Sequence, residues 1–128
     1  IKSGGHTNNR GFSSTQVVQI AMYSFPDITF HSGAHTSTVG TGAIWDDVYS
    51  TLEEYGVNVV GPKVTGIRVG GIVLGGGMNY GLTIDDVVAY KLVLPNNTVN
   101  NSSDPDLFFG LRGGFNNFVC SPPEKYRM

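Results

Sequence analysis

The residues best placed to do chemistry lie in two glycine-rich stretches, Lys2-Ser3-Gly4-Gly5-His6 and Val69-Gly70-Gly71-Ile72-Val73-Leu74-Gly75-Gly76-Gly77. Glycine has no Cβ, so successive backbone N–H groups in such runs can approach a phosphate or a flat ring and turn toward one anion. His6 closes the first run, and a neutral imidazole beside such a loop is a competent nucleophile. Neither stretch is informative alone. Together they read as two walls of a nucleotide-cofactor site.

Other polar clusters read more plainly. His31 and His35 stand four apart, but they fall in a turn without further Cys, His or clustered carboxylates, so they are expected to be solvated and no metal site is assigned. Gly40-Thr41-Gly42 lacks the third glycine and the following acid of a dinucleotide fingerprint and reads as a tight turn. Asp46, Asp47, Glu53 and Glu54 form the solvated face of a helix. Asp85 and Asp86 are expected to cap a turn, Trp45 and Phe108-Phe109 to be core, and Arg112 either to face the cofactor or to end a helix. No residue is assigned as catalytic.

The elements that must position these groups follow from pattern. Val17–Met22 reads as a strand, and Ile28–His31 with Thr36–Gly40 as a hairpin turning at Ser32-Gly33. Ile44, Val48, Leu52 and Tyr55 recur at helical spacing, with Gly56 as the stop. Val57–Val60 returns to strand character, while Ile67–Leu74 fits either a buried strand or a close-packed helix. Val87–Leu94 is a strand, Pro95–Val99 a turn into another, and Asp104–Leu111 a helix ended by Gly113-Gly114.

Composition bounds the class. The 128 residues suffice for one domain, and 18 glycines with only 14% charged residues favour a loop-rich α+β protein. A net charge of -2 without clustered Lys or Arg argues against nucleic acid as a partner. No apolar run approaches the roughly 20 residues of a membrane span. Cys120 is alone, so no internal disulfide is expected, and the sequons at Asn96, Asn100 and Asn101 hint at a secretory route.

In fixed order, Ile1-Lys2-Ser3-Gly4-Gly5-His6, Gly11-Phe12-Ser13-Ser14-Thr15, Val69-Gly70-Gly71, Leu74-Gly75-Gly76-Gly77, Tyr80-Gly81-Leu82-Thr83-Ile84-Asp85 and Asp106–Gly114 resemble the FAD-linked oxidases of the vanillyl-alcohol-oxidase/PCMH type, in particular the berberine-bridge-enzyme-like members common in fungi. The resemblance implies a PCMH-type FAD-binding domain over 1–118, incomplete at both ends, and a divergent, disordered tail over 119–128. It implies FAD contacts at Ser3, Gly4, Gly5, His6, Thr65, Gly66, Gly70, Gly71, Gly75, Gly76 and Gly77, with His6 as a covalent tether. Val64 stands where doubly tethered relatives carry cysteine, so a cysteinyl bond is excluded. Two departures from the family pattern stand out: only Met78-Asn79 separates the triple glycine from Tyr80-Gly81-Leu82, and Val119-Cys120 follows Asn116-Asn117-Phe118.

The expectation is therefore the FAD-binding portion of a truncated flavin-dependent oxidoreductase. Its whole relative would move hydride from an alcohol, sugar or related small molecule to FAD and return the electrons to O2. The competing class is a non-catalytic remnant, or a glycine-rich structural domain that binds no cofactor.

Overall fold

The computed structural model describes residues 1–75, 82–94, 96–101, 104–114 and 124–127. The expectations placed on Gly76, Gly77, the Met78-Asn79 link, Tyr80-Gly81 and Asn116-Asn117-Phe118 lie outside the described residues.

Among the described residues, five strands make one antiparallel sheet: β1 (Ile28–His31), β2 (Thr36–Val39), β3 (Val87–Val93), β4 (Val99–Asn101) and β5 (Glu124–Arg127), in the order β1-β2-β5-β3-β4. The hairpins β1–β2 and β3–β4 form where the sequence predicts them. The first turns through Ser32–Ala34 with His35 at φ 46, and the second through Asn97 at φ 64. β5 is the surprise. It lies in the stretch expected to be disordered, yet pairs Thr38 with Lys125 on one side and Ala89 with Lys125 on the other. The disorder expected over 119–128 therefore does not hold at 124–127, where the backbone pairs with the edges of both β2 and β3.

Helix α1 (Trp45–Glu53) buries Val48 and Leu52 of the predicted stripe together with Trp45, while Ile44 is half-buried at its N-cap and Tyr55, beyond its last turn, is exposed. It ends as expected: Val57 N–H donates to Leu52 O at 3.3 Å and Gly56 N–H to Glu53 O at 2.9 Å, the paired bonds of a Schellman stop. Helix α2 (Val69–Gly75) settles the open choice between strand and helix, with Val69 and Val73 inward. Helix α3 (Pro105–Leu111) begins at Asp104, whose Oδ1 accepts from Asp106 and Leu107 N–H, and Pro105 fills the position where a missing donor costs nothing. Val39, Trp45, Val48, Leu52, Val69, Val73, Tyr90, Leu92 and Leu111 form a single core between the helices and the sheet.

Three expectations fail for tertiary reasons. Val17–Met22 is not a strand: it is tied by one bridge, Lys2 to Ala21, and Val17 and Val18 face solvent. Val57–Val60 is irregular, with Val59 buried in the core and its N–H held by Asn58 Oδ1 at 2.8 Å, so no ladder partner is needed. Phe109 is 80% exposed, whereas Phe108 packs on Tyr90 with ring centroids 5.4 Å apart.

Candidate cofactor site

The two glycine stretches meet. Lys2 N–H donates to Ile20 O and Met22 N–H returns to Lys2 O, both at 2.8 Å, which pins the N-terminal loop beside the residues that lead into β1. From there Ser3, Gly4 and Gly5 run over the start of α2. A Cβ on Gly70 would stand 2.8 Å from Ser3 Oγ and 3.2 Å from Thr41 Cβ, so a larger residue there would push the two walls apart. Behind them Gly42 N–H donates to Phe25 O at 3.1 Å, and a Cβ there would strike Met22 O at 2.0 Å. The Gly40-Thr41-Gly42 turn thus works as a backbone crossing.

Between the walls opens a cavity of about 870 Å³. Of the residues the sequence assigned to the cofactor, Ser3, Gly4, Gly5, His6, Gly66, Gly70 and Gly71 line it. Thr65 and Gly75 do not; both are exposed outside the cavity. Among the described residues, the charged side chains on its wall are Lys2 and Arg68, with no carboxylate. In a chain of net charge -2 that is a local reversal of sign, and it suits a diphosphate. Thr41 adds a buried hydroxyl on the same wall, 2% exposed, whose Oγ1 meets no protein partner. Amide donors, cations and an unused hydroxyl around a dinucleotide-sized space fit a nucleotide cofactor.

Several residues that shape this wall are illegible in the sequence. Arg68 pairs in a bridge with Ile44, donates through Nη1 to Gly42 O, and lays its guanidinium 4.6 Å from the Tyr23 ring centroid. Its stem lies against Gly4. Asp46, read from the sequence as part of a solvated face, accepts the Gly66 N–H at 2.8 Å through Oδ2 and so fixes a turn where Gly66 takes φ +77. Nothing in the local pattern could have paired residues 20 apart. Tyr49 donates to Pro62 O at 3.1 Å, and burial, with Asp46 adding to it, pushes its phenol above the ordinary value, which keeps it a donor.

Other candidates are placed elsewhere. Arg112 does not face the cavity; it donates through Nε to Ile84 O and pairs with Asp85 at 2.9 Å, tying the end of α3 to the 82–86 turn. His31 Nε2 lies 2.9 Å from Thr38 Oγ1. Among the described residues no three His, Cys, Asp or Glu side chains are grouped to hold a metal, and no helix is long and apolar enough to cross a membrane.

Fold and site together define an α+β domain with a cavity of dinucleotide size between its two glycine walls. The FAD binding domain family matches residues 1–103, and the chain belongs to it. FAD is accordingly the cofactor this fold is built to hold. An FAD-dependent monooxygenase of Cochliobolus heterostrophus is 39% identical over 127 residues, covering 92% of this chain and 24% of that protein. The chain thus spans about a quarter of that relative's length. Berberine bridge enzyme from Eschscholzia californica shares the fold, with a TM-score of 0.84 over 98% of this chain and 28% of its own at 24% identity. Xylooligosaccharide oxidase from Myceliophthora thermophila, solved with xylobiose, gives a TM-score of 0.75 at 28% identity over 84% of this chain and 25% of its own. The PCMH-type fold expected from the motifs is therefore present, in part.

Proposed function

We propose that this chain is the FAD-binding part of a flavin-dependent oxidoreductase acting on an alcohol, a sugar or a related small molecule, with residues 1–118 forming the domain and β5 completing its sheet. The observation that carries the reading is the cavity itself, walled on both sides by glycine backbone and, among the described residues, carrying the cationic side chains of Lys2 and Arg68. In this reading the amides of Gly4 and Gly5 bind the diphosphate, Gly70 and Gly71, whose own N–H groups donate to Thr41 O and Arg68 O, let it approach the second wall closely, Lys2 and Arg68 offset its charge, and Thr41 supplies a further donor. Bound flavin would accept hydride from a substrate carbon and pass the electrons to O2. His6, exposed on the cavity rim, would tether the flavin once through an imidazole nitrogen, and Val64 excludes a second bond by thioether. The xylooligosaccharide oxidase solved with xylobiose supports the sugar member of that substrate class.

Fluorescence titration of the purified chain with FAD tests the cofactor reading. Saturable quenching is expected, weakened at least tenfold, about 1.4 kcal/mol, in Gly70→Val. Absence of saturable binding would leave a structural domain. Acid denaturation tests the tether: flavin should stay with the parent protein and be released from His6→Ala. Complete release from the parent would remove the covalent bond while leaving the cofactor site intact.

A further inference from the structure

The β3–β4 hairpin carries a feature unrelated to the cofactor. Its tip, 94–98, closes with Asn97 N–H donating to Leu94 O and Leu94 N–H to Thr98 O, both at 2.9 Å. Inside that turn the Asn96 carboxamide oxygen accepts twice, from the Thr98 N–H at 3.1 Å and from the Thr98 hydroxyl at 2.6 Å. A backbone N–H can only donate, so the atom facing it must be Oδ1 and the amide nitrogen points away from the turn. Asn96, Asn97 and Thr98 are all exposed.

We propose that Asn96 is an N-glycan acceptor, and that the fold selects it over Asn100 and Asn101. The tripeptide Asn96-Asn97-Thr98 is an acceptor sequon, and the turn presents its nitrogen outward while the Thr98 hydroxyl polarises the amide through its oxygen. The co-reactant is a lipid-diphosphate-linked oligosaccharide, delivered by its membrane transferase. A bond forms between Asn96 Nδ2 and C1 of the first sugar. The C1–O bond to the lipid diphosphate breaks, the diphosphate leaves with the electron pair, and Nδ2 gives up one proton. Asn100 and Asn101 lie instead in β4, their backbones paired with Leu92 and Lys91. A ladder-paired extended backbone cannot fold into the same turn without breaking those pairs. The turn's own contacts span only five residues. It can form on the order of microseconds, well ahead of chain growth at roughly 5–20 residues per second.

The test is to translate the full chain behind a cleavable secretory leader in the presence of endoplasmic-reticulum microsomes and read only protease-protected chains. One glycosidase-sensitive band shift is expected. It should be lost in Asn96→Gln and Thr98→Ala, and kept in Thr98→Ser, Asn100→Gln and Asn101→Gln. Site mapping on the unsubstituted chain guards against misfolded variants. Its tryptic peptide 92–112 holds all three sequons, and amidase release in heavy-oxygen water marks the occupied asparagine as aspartate. The mark should fall on Asn96. A protected chain with no glycan, or with its glycan on Asn100 or Asn101, would overturn the proposal. Asn96 does not line the cavity, so Asn96→Gln should bind FAD like the parent.

Discussion

Replacing Asp46 with alanine removes the carboxylate that holds the Gly66 amide and the negative charge in the first turn of α1. A hydrogen bond to a charged group and a favourable dipole contact would together be worth about 2 kcal/mol or more if buried, but partial exposure reduces the expected loss to about 1–1.5 kcal/mol. Urea melts measure that loss, and FAD titration should show weaker binding because Gly66 forms part of the wall. Asp46→Asn should recover part of both. Tyr49 offers a second check at this scale. Its neutral phenol is favoured by the fold, so its contribution is full below the unfolded pKa of about 10 and is lost as pH rises through the higher folded value. The melting temperature of the parent should therefore fall more steeply above pH 10 than that of Tyr49→Phe. Equal slopes would mean that Tyr49 titrates as freely in the fold as outside it.

Helix α2 and strand β5 make opposite demands on the elements around them. Gly70 and Gly71 are neighbours in one helix, yet a Cβ on Gly71 would meet nothing within 4 Å, whereas one on Gly70 meets Ser3 and Thr41. Gly71→Ala should therefore gain the helix-propensity difference of about 0.5–1 kcal/mol. In Gly70→Ala the same gain is offset by displacement of the loop wall, and thermal melts of the two variants should differ in that direction. β5 is tested through its backbone. Lys125 pairs on both flanks, with Thr38 and with Ala89, so Lys125→Pro removes a central N–H and should cost on the order of 3 kcal/mol. If Lys125→Pro melts like the parent, β5 is not integral to the sheet.

At the scale of the whole molecule, the proposed cofactor cavity offers little machinery for a substrate. Among the described residues, the titratable side chains on its wall are Lys2, His6 and Arg68, and Arg68 is engaged with Gly42 and Tyr23. An oxidase must hold the reacting carbon near the flavin with a base in reach, and misplacement by about 1 Å can cost roughly a hundredfold. The chain alone should bind FAD yet release no peroxide from a panel of sugars and primary alcohols. Turnover on any of them would show that the quarter of the relative's length present here suffices for catalysis. Phe12, Val17, Val18 and Phe25 expose apolar surface on and beside the cavity rim, which should give measurable binding of a hydrophobic dye in the folded state.

Local information decided much of this protein. The α1 stripe with its stop at Gly56, the cap at Asp104-Pro105, both hairpin turns and the glycine runs are written in residues a few positions apart, so periodicity and turn chemistry reveal them. The motif order pointed to the FAD-binding fold and to seven of the residues now seen on the cavity wall. What the chain could not announce are the events between distant segments: β5 entering between β2 and β3, Asp46 reaching Gly66, Arg68 crossing to Gly42, and Val57–Val60 entering the core without a strand partner. Each depends on which backbone edge or carbonyl is left unsatisfied once the rest has packed, and that is settled only in three dimensions.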